Sequence, residues 1–270
     1  MAAPAVLYSK EGHVALVVMN RPEVHNALNA EMLVRLADAW QDINDDANIR
    51  AAILTGAGDA AFSAGADLDR LIGMVQGKRP PETEFDKRIL DDFTIIYKGL
   101  MRSYDLVKPL IAAVRGFCIA GGTEILQTTD IRVASETARF AIAEVKHSLF
   151  PMGGSTVRLP RQIPYCRAME ILLTGEQFSA ADALQWGLIN KVAPDGEVMK
   201  EARRYADVVS ENGPLAVQAV KRSVLAALGR PTADGLQSEH ELGVPVSMSA
   251  DAKEGTKAFK EKRRAVFQGR

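Results

Sequence analysis

Two glutamates occupy unusual places in this sequence. Glu124 stands in FCIAGGTEIL (117–126), where an apolar run reaches two glycines, takes one carboxylate and turns apolar again. Glu144 stands in RFAIAEVKHSLFP (139–151), at the end of an apolar stretch that leads into a Pro151–Gly154 turn. A carboxylate kept at an apolar junction can serve as a general acid or base, because burial lifts its pKa toward the working pH. Each also has an ordinary explanation. An acid in the first turn of a helix gains about 0.3–1 kcal/mol from the helix dipole. Glu144 reads equally well as an exposed strand-end residue. Paired acid/base work needs the fold to bring the two together, and spacing alone does not show that it does.

Two short glycine-containing turns offer a matching electrophilic site. AFSAGADL (61–68) and IAGGTEIL (119–126) each follow an apolar strand and precede a helical pattern. The first N–H groups of a helix lack internal partners, and the dipole there favours negative charge. Two such starts aimed at one point would form an oxyanion hole. Glycine suits that use, since a missing Cβ lets a ligand carbonyl approach the backbone. Both segments are also compatible with ordinary tight strand-to-helix turns.

Other chemistries find less support. GAGDAA (56–61) follows a strand and loosely resembles a dinucleotide fingerprint, yet FSAGAD intervenes before any helix and position 76 is glutamine where an acid is needed. There is no G-x-x-x-x-G-K-[ST] and no G-x-S-x-G, so Ser155 reads as a helix-start residue rather than a nucleophile. His13, His25, His147 and His240 never fall at metal-ligand spacing, so no metal is expected. Cys118 and Cys166 lie in apolar context and read as reduced, buried small hydrophobes.

The elements that must position these residues alternate. Val14–Val18, then 50–56, 109–116, 131–135 and 189–193 read as strands. Asn29 is a good N-cap for a helix that carries Leu33, Leu36, Trp40 and Ile43 on one face. Helical patterns fill 84–106, 122–129, 154–174 and 179–186, with KRPPE (78–82) as a loop. This alternation predicts α/β units. Beyond about residue 195 only helical spacing remains, as in Val217, Val220 and Val224 after Pro214. The expected organisation is a core over 1–195 holding the active site, and a helical region over 196–270.

The 270 residues are 47% apolar and 25% charged, with a net charge of −1. Such a chain can bury a large core unaided, and no global field points to nucleic acid or membrane. No segment reaches the length of a membrane span and the N-terminus lacks leader character, so the expected location is cytoplasmic.

Six stretches together resemble the enoyl-CoA hydratase/isomerase (crotonase) family. They are NRPEVHNALN (20–29), AFSAGADL (61–68), AAVRGFCIAGGTEILQTTDIRVAS (112–135), FAIAEVKHSLFPMGGSTVRLPR (140–161), LLTGEQFSAADALQWGLINKVAP (172–194) and EGTKAFKEKRRAVF (254–267), in the family's order. The resemblance implies a crotonase-like (ClpP/crotonase) ββα spiral core with a C-terminal helical trimerisation region. It implies a homotrimer or dimer of trimers acting in fatty-acid or lipid metabolism. The substrate it implies is an acyl-CoA, with coenzyme A as part of that substrate and no tightly bound cofactor.

Carried over by position, the oxyanion donors are the N–H groups of Ala66 and Gly121. Val24, His25 and Ala64 meet the adenine end of CoA, and Asp67 and Leu68 belong to the same binding segment. Glu124 and Glu144 fall on the two catalytic glutamates of the hydratases. Glu144 then orients the water and takes its proton, while Glu124 delivers a proton to Cα. The Met152 N–H falls on a water-holding amide. Phe259 and Lys262, in a tail with seven Lys/Arg against two Glu (253–270), would reach the CoA nucleotide from a neighbouring subunit.

The expected activity is hydration of a 2-enoyl-CoA. A Δ3,Δ2-enoyl-CoA isomerase, or a hydratase or dehydratase of a non-fatty acyl-CoA, is the alternative. An RNA-binding relative is disfavoured by the global charge. Ala120, Thr123 and Ala60 depart from the family pattern, and KHSLF is polar at its start, which leaves the acyl group open. Segment 70–100 is where its size and polarity should be set.

Overall fold

The computed structural model describes residues 3–270. The chain opens with β1 (Val6–Glu11) and β2 (Val14–Met19), antiparallel to each other, then α1 (Ala30–Asp45). Next come β3 (Ala51–Gly56) and β4 (Ala61–Ser63), a π-helical turn at Leu68–Ile72, α2 (Gly73–Val75), α3 (Glu84–Asp91) and α4 (Thr94–Gly99). Then follow β5 (Leu110–Val114), β6 (Phe117–Ile119), α5 (Gly121–Leu126), β7 (Ile131–Ser135) and β8 (Arg139–Ala141). After a 3-10 turn at Glu144–His147 the chain forms α6 (Ser155–Gln162), α7 (Tyr165–Thr174), β9 (Phe178–Ser179), α8 (Ala180–Gln185) and β10 (Lys191–Ala193). Four helices finish it: α9 (Val198–Glu211), α10 (Pro214–Ala227), α11 (Thr232–Ser247) and α12 (Ala250–Lys260).

The strands fall into two sheets, ordered β1-β2-β3-β5-β7-β10 and β4-β6-β8-β9. From β2 to β10 the larger sheet is parallel, and β4-β6-β8 are parallel as well. Each of the pairs β3/β4, β5/β6 and β7/β8 gives one strand to each sheet before helix follows. That is a ββα spiral, the α/β architecture expected from the sequence.

The central strands are buried on both faces, which is why they read as continuous apolar runs without alternation. Ala52, Leu54, Leu110, Ala112 and Val114 face the main core with Leu33, Leu36 and Trp40 of α1. The intervening Ala51, Ile53, Ile111, Ala113 and Val133 meet Val198, Ala202 and Ala206 of α9. Arg132, fully buried on β7, donates to the carbonyls of Gln127, Thr129 and Leu188 and to Gln162 Oε1. It thereby ties the end of α5 to α6 and to the chain after α8.

All five expected strands form, and no strand follows residue 193. The helices differ in two places. The expected 84–106 helix is two, because Asp92 takes extended backbone and its Oδ1 accepts the Thr94 N–H, restarting the helix as α4. The expected 154–174 helix breaks at Ile163, which precedes Pro164 and is forced into extended backbone. Strands of two or three residues, such as β4, β6, β8 and β9, are too short for periodicity to reveal. Cys118 is buried as expected, but Cys166 is exposed on the outer face of α7. No helix of the described residues is long and apolar enough to cross a membrane.

Asn29 caps α1, its side chain accepting the Met32 N–H at 2.9 Å. Asn29→Ala is expected to cost about 1 kcal/mol, lowering the thermal midpoint by about 2–4 °C in a chain of this size. Differential scanning calorimetry checks this.

Candidate active site

The two glycine turns meet. Leu28 and Ala66 form an isolated parallel bridge, in which Leu28 N donates to Gly65 O at 2.8 Å and Asp67 N to Leu28 O at 3.0 Å. That pairing fixes Ala66 while leaving its own N–H without a backbone acceptor. Gly121 opens α5, so its N–H is one of the orphan donors of a helix start. The two segments touch backbone to backbone. A Cβ added to Gly65 would lie 2.9 Å from Gly121 N, and one added to Gly121 would lie 3.6 Å from Ala66 N. Both amides border one cavity of ≈ 720 Å³.

Ala120, just before Gly121, sits at φ +51°, in the left-handed half of the map where a non-glycine residue is strained. It is held there from both sides. Its N–H donates to Ala141 O at 2.9 Å, and the Thr123 hydroxyl bonds the carbonyls of Ala141 (2.9 Å) and Cys118. The two departures from the family pattern at 120 and 123 therefore lie in the joint between β6, β8 and α5, and they leave the Gly121 amide facing the cavity.

Glu124 lies one helical turn beyond Gly121 and is 4% exposed. Its Oε1 accepts the Ser155 N–H at 3.3 Å, and Gly153 and the Ser155 side chain lie against the same carboxylate. Gln127 Nε2 donates to Ser155 Oγ at 2.8 Å, which leaves the hydroxyl hydrogen free for Glu124. Burial raises the Glu124 pKa, and these donors together with the charge of Arg158 act against that rise.

Glu144 begins the 3-10 turn on the other side of the cavity. Its Oε2 is buried and has no hydrogen-bond partner. Burial first, and the charge of Glu124 second, push it up to about 7. The two carboxyls are thus neighbours with unequal surroundings. Glu124 Oε1 accepts the Ser155 N–H, whereas Glu144 Oε2 has no partner.

A family model described as Enoyl-CoA hydratase/isomerase matches residues 9–270. The chain belongs to the enoyl-CoA hydratase/isomerase family. It is 47% identical over 269 residues to the enoyl-CoA hydratase EchA19 of Mycobacterium tuberculosis, covering 100% of this chain and 98% of that protein. It is 37% identical over 259 residues to the (E)-benzylidenesuccinyl-CoA hydratase of Thauera aromatica, covering 95% and 96%. Among solved structures, the enoyl-CoA hydratase of Bacillus anthracis superposes with a TM-score of 0.89 at 33% identity, over 98% of this chain and 100% of that one. The crotonase fold and the family resemblance read from the sequence stand, and family membership makes the chain an enzyme acting on CoA thioesters.

The cavity gathers most of the residues expected at the site. Val24, Ala64, Asp67, Leu68 and Met152 line it together with Ala66, Gly121, Glu124 and Glu144. Asp67 is not free for a ligand. Its carboxylate accepts from Arg21 at 2.9 Å and caps the following turn through Arg70 N at 2.8 Å. His25 is outside the lining, packed edge-on against Phe117 with centroids 6.4 Å apart. Phe259 (84% exposed) and Lys262 stand at the end of α12 and do not reach the cavity within this chain. Segment 70–100 supplies the wall, through Leu71, Val75, Phe93, Ile96, Tyr97 and Leu100. Ser155 and Arg158 meet Glu124 across more than 30 residues, and a sequence carries no signal for such contacts.

In the unfolded chain Glu144 titrates near its ordinary 4.5, whereas the fold pushes it up to about 7. The folded state then binds the proton more tightly, so the Glu144 contribution is fully present below about pH 4.5 and is lost as pH rises through about 7. Glu144→Gln removes that loss. Its thermal midpoint relative to wild type should be higher at pH 8 than at pH 5 by a few degrees, read by scanning fluorimetry. An equal difference at both pH values contradicts the burial of this carboxyl.

Proposed function

We propose that this protein catalyses reversible syn addition of water to a 2-enoyl-CoA thioester. The observation carrying this reading is that two carboxyls and two unpaired backbone amides from remote segments border one cavity. The thioester oxygen is received by the N–H groups of Ala66 and Gly121, and negative charge builds on it as water adds to Cβ. Donors fixed before the reaction stabilise that charge without reorganising.

The surroundings of the two glutamates favour the reverse of the roles carried over from the resemblance. Glu124, whose Oε1 accepts a backbone N–H and which has a guanidinium nearby, is the better carboxylate; it takes a proton from water as the hydroxyl joins Cβ. Glu144, unpartnered and pushed up, is the better acid; it gives its proton to Cα as the enolate collapses. The pair begins with one proton and ends with one on the opposite partner, and exchange resets it. The titration is that of a coupled pair. Activity is expected to fall as pH rises above about 7, where Glu144 loses its proton, and to fall again in acid as Glu124 gains one. The N–H of Met152, which lines the same cavity as both glutamates, is proposed to hold the water.

The acyl group that fits is uncharged and apolar. Leu33, Leu71, Ile96, Tyr97 and Leu100 form the wall beyond the reacting carbons, and no Lys or Arg lines the cavity. The polar start of KHSLF does not change this, since Lys146 lies against Gly175 and only His147 borders the cavity. A second carboxylate, as in a benzylidenesuccinyl group, would be buried without a cation, which costs several kcal/mol. Fatty 2-enoyl chains longer than crotonyl are therefore the proposed substrates, with a place in fatty-acid metabolism. The helical region over 196–270 is proposed to carry trimer contacts. Val220, Val224, Leu236 and Met248 are exposed along α10 and α11, and Phe259 and Lys262 then serve a neighbouring CoA site. A cytoplasmic location follows from such a role.

Glu124→Gln and Glu144→Gln should each lower kcat roughly 10²–10⁴-fold, and Ala66→Pro, which deletes one donor, roughly 10²–10³-fold. Loss of the conjugated-thioester absorbance measures this, with circular dichroism to check folding. In a panel of chain lengths, six- to ten-carbon enoyl-CoAs should exceed crotonyl-CoA in kcat/KM, and an ω-carboxylated one should be the poorest. An isomerase would move a β,γ double bond and retain activity with one glutamate removed; product analysis in isotopic water separates the two.

A further inference from the structure

We propose that Arg158 is a positioning residue: it keeps Glu124 in its charged form and locks the 151–154 turn to the corner that ends the acyl wall. Arg158 projects from α6, one turn beyond Ser155, and is half-buried. Every hydrogen bond of its guanidinium goes to a carbonyl. Nη1 donates to Gly153 O at 3.0 Å, and Nη2 donates to Met101 O at 3.0 Å and Arg102 O at 3.3 Å. No carboxylate neutralises it, so its field is free to act on whatever anion lies nearest.

That anion is Glu124, held on the other side of two glycines. A Cβ on Gly153 would lie 2.5 Å from Glu124 Oε2, and a Cβ on Gly154 would lie 2.3 Å from Arg158 Nη1. The two groups occupy the space that side chains at 153 and 154 would take. The glycine pair thus lets opposite charges approach one turn from both flanks without touching. Their influence is mutual: Arg158 favours the charged form of Glu124, and Glu124 favours the charged form of Arg158.

The other charged groups around Glu124 do not replace it. Glu144 repels from the 144–147 turn, His147 borders the same cavity, and Asp67 is engaged by Arg21. Arg102 and Asp105 act on Arg158 from its far side. Arg158 therefore adds to the inequality of the two glutamates. Its second task is mechanical. Met101, at φ +49°, closes α4, and Tyr97 and Leu100 just before it line the cavity. The guanidinium fastens that corner to the turn carrying the Gly153 N–H, so the acyl wall and the base share one anchor. The proposal depends on the hydratase reading only in treating Glu124 as the base.

Carboxyl ¹³C NMR of glutamate-labelled apoprotein tests it without turnover, with Glu124→Gln identifying the resonance. Arg158→Met should raise the Glu124 midpoint, and Arg158→Lys, which keeps the charge, should restore it. Arg158→Lys cannot span three carbonyls, so its KM for a ten-carbon enoyl-CoA should rise several-fold while kcat falls less. Arg158→Gln gives the same reading should the Met variant fail to fold. An unchanged midpoint in a folded, uncharged variant overturns the proposal. A protein that titrates as described yet hydrates no enoyl-CoA overturns the hydratase reading alone.

Discussion

Two peptide N–H groups left without acceptors, on segments 55 positions apart in the chain, are what the rest of this molecule is arranged around. An amide held at a cavity wall without a protein acceptor needs surrounding structure to fix its direction. Here the Leu28–Ala66 bridge holds one donor, and the start of α5, with Ala120 strained behind it, holds the other. The two sheets explain how both reach one point. Successive spiral turns place β4 and β6 side by side, so the helix-ward ends of both strands open onto the same cavity.

The carboxyls show the same economy of means. Neither touches a cation directly; Glu124 is buried and Glu144 half-buried. Their difference comes from small, local facts: a helix start with a serine, a glycine amide and a guanidinium behind a turn for Glu124, and none of these for Glu144. Low polarity around a charge strengthens every one of these interactions. A pair of identical side chains thereby acquires unequal surroundings, set by the environment rather than by residue type.

Much of this was legible in the sequence, for physical reasons that differ by element. Buried parallel strands announce themselves because both faces are apolar, as in AAILTG and LIAAV. Asn29 marked the start of α1 because its side chain has one job there. Glycine turns marked the oxyanion candidates because close backbone approach excludes Cβ. The short strands of the smaller sheet carry too few residues to show a period. The exposure of Cys166, the breaks at Asp92 and Ile163, and the contacts of Ser155 and Arg158 with the Glu124 turn depend on where distant segments land. The acid/base division is likewise a matter of surroundings, since two glutamates are identical in a sequence.

The most direct test of the central claim is the infrared carbonyl stretch of a bound, slowly reacting acyl-CoA thioester carrying ¹³C at the thioester carbon. Two amides gripping that oxygen should move the band to lower frequency on binding, and Ala66→Pro should return it part of the way toward its solution value. A band unmoved by binding, or one moved equally in wild type and Ala66→Pro, would contradict the account.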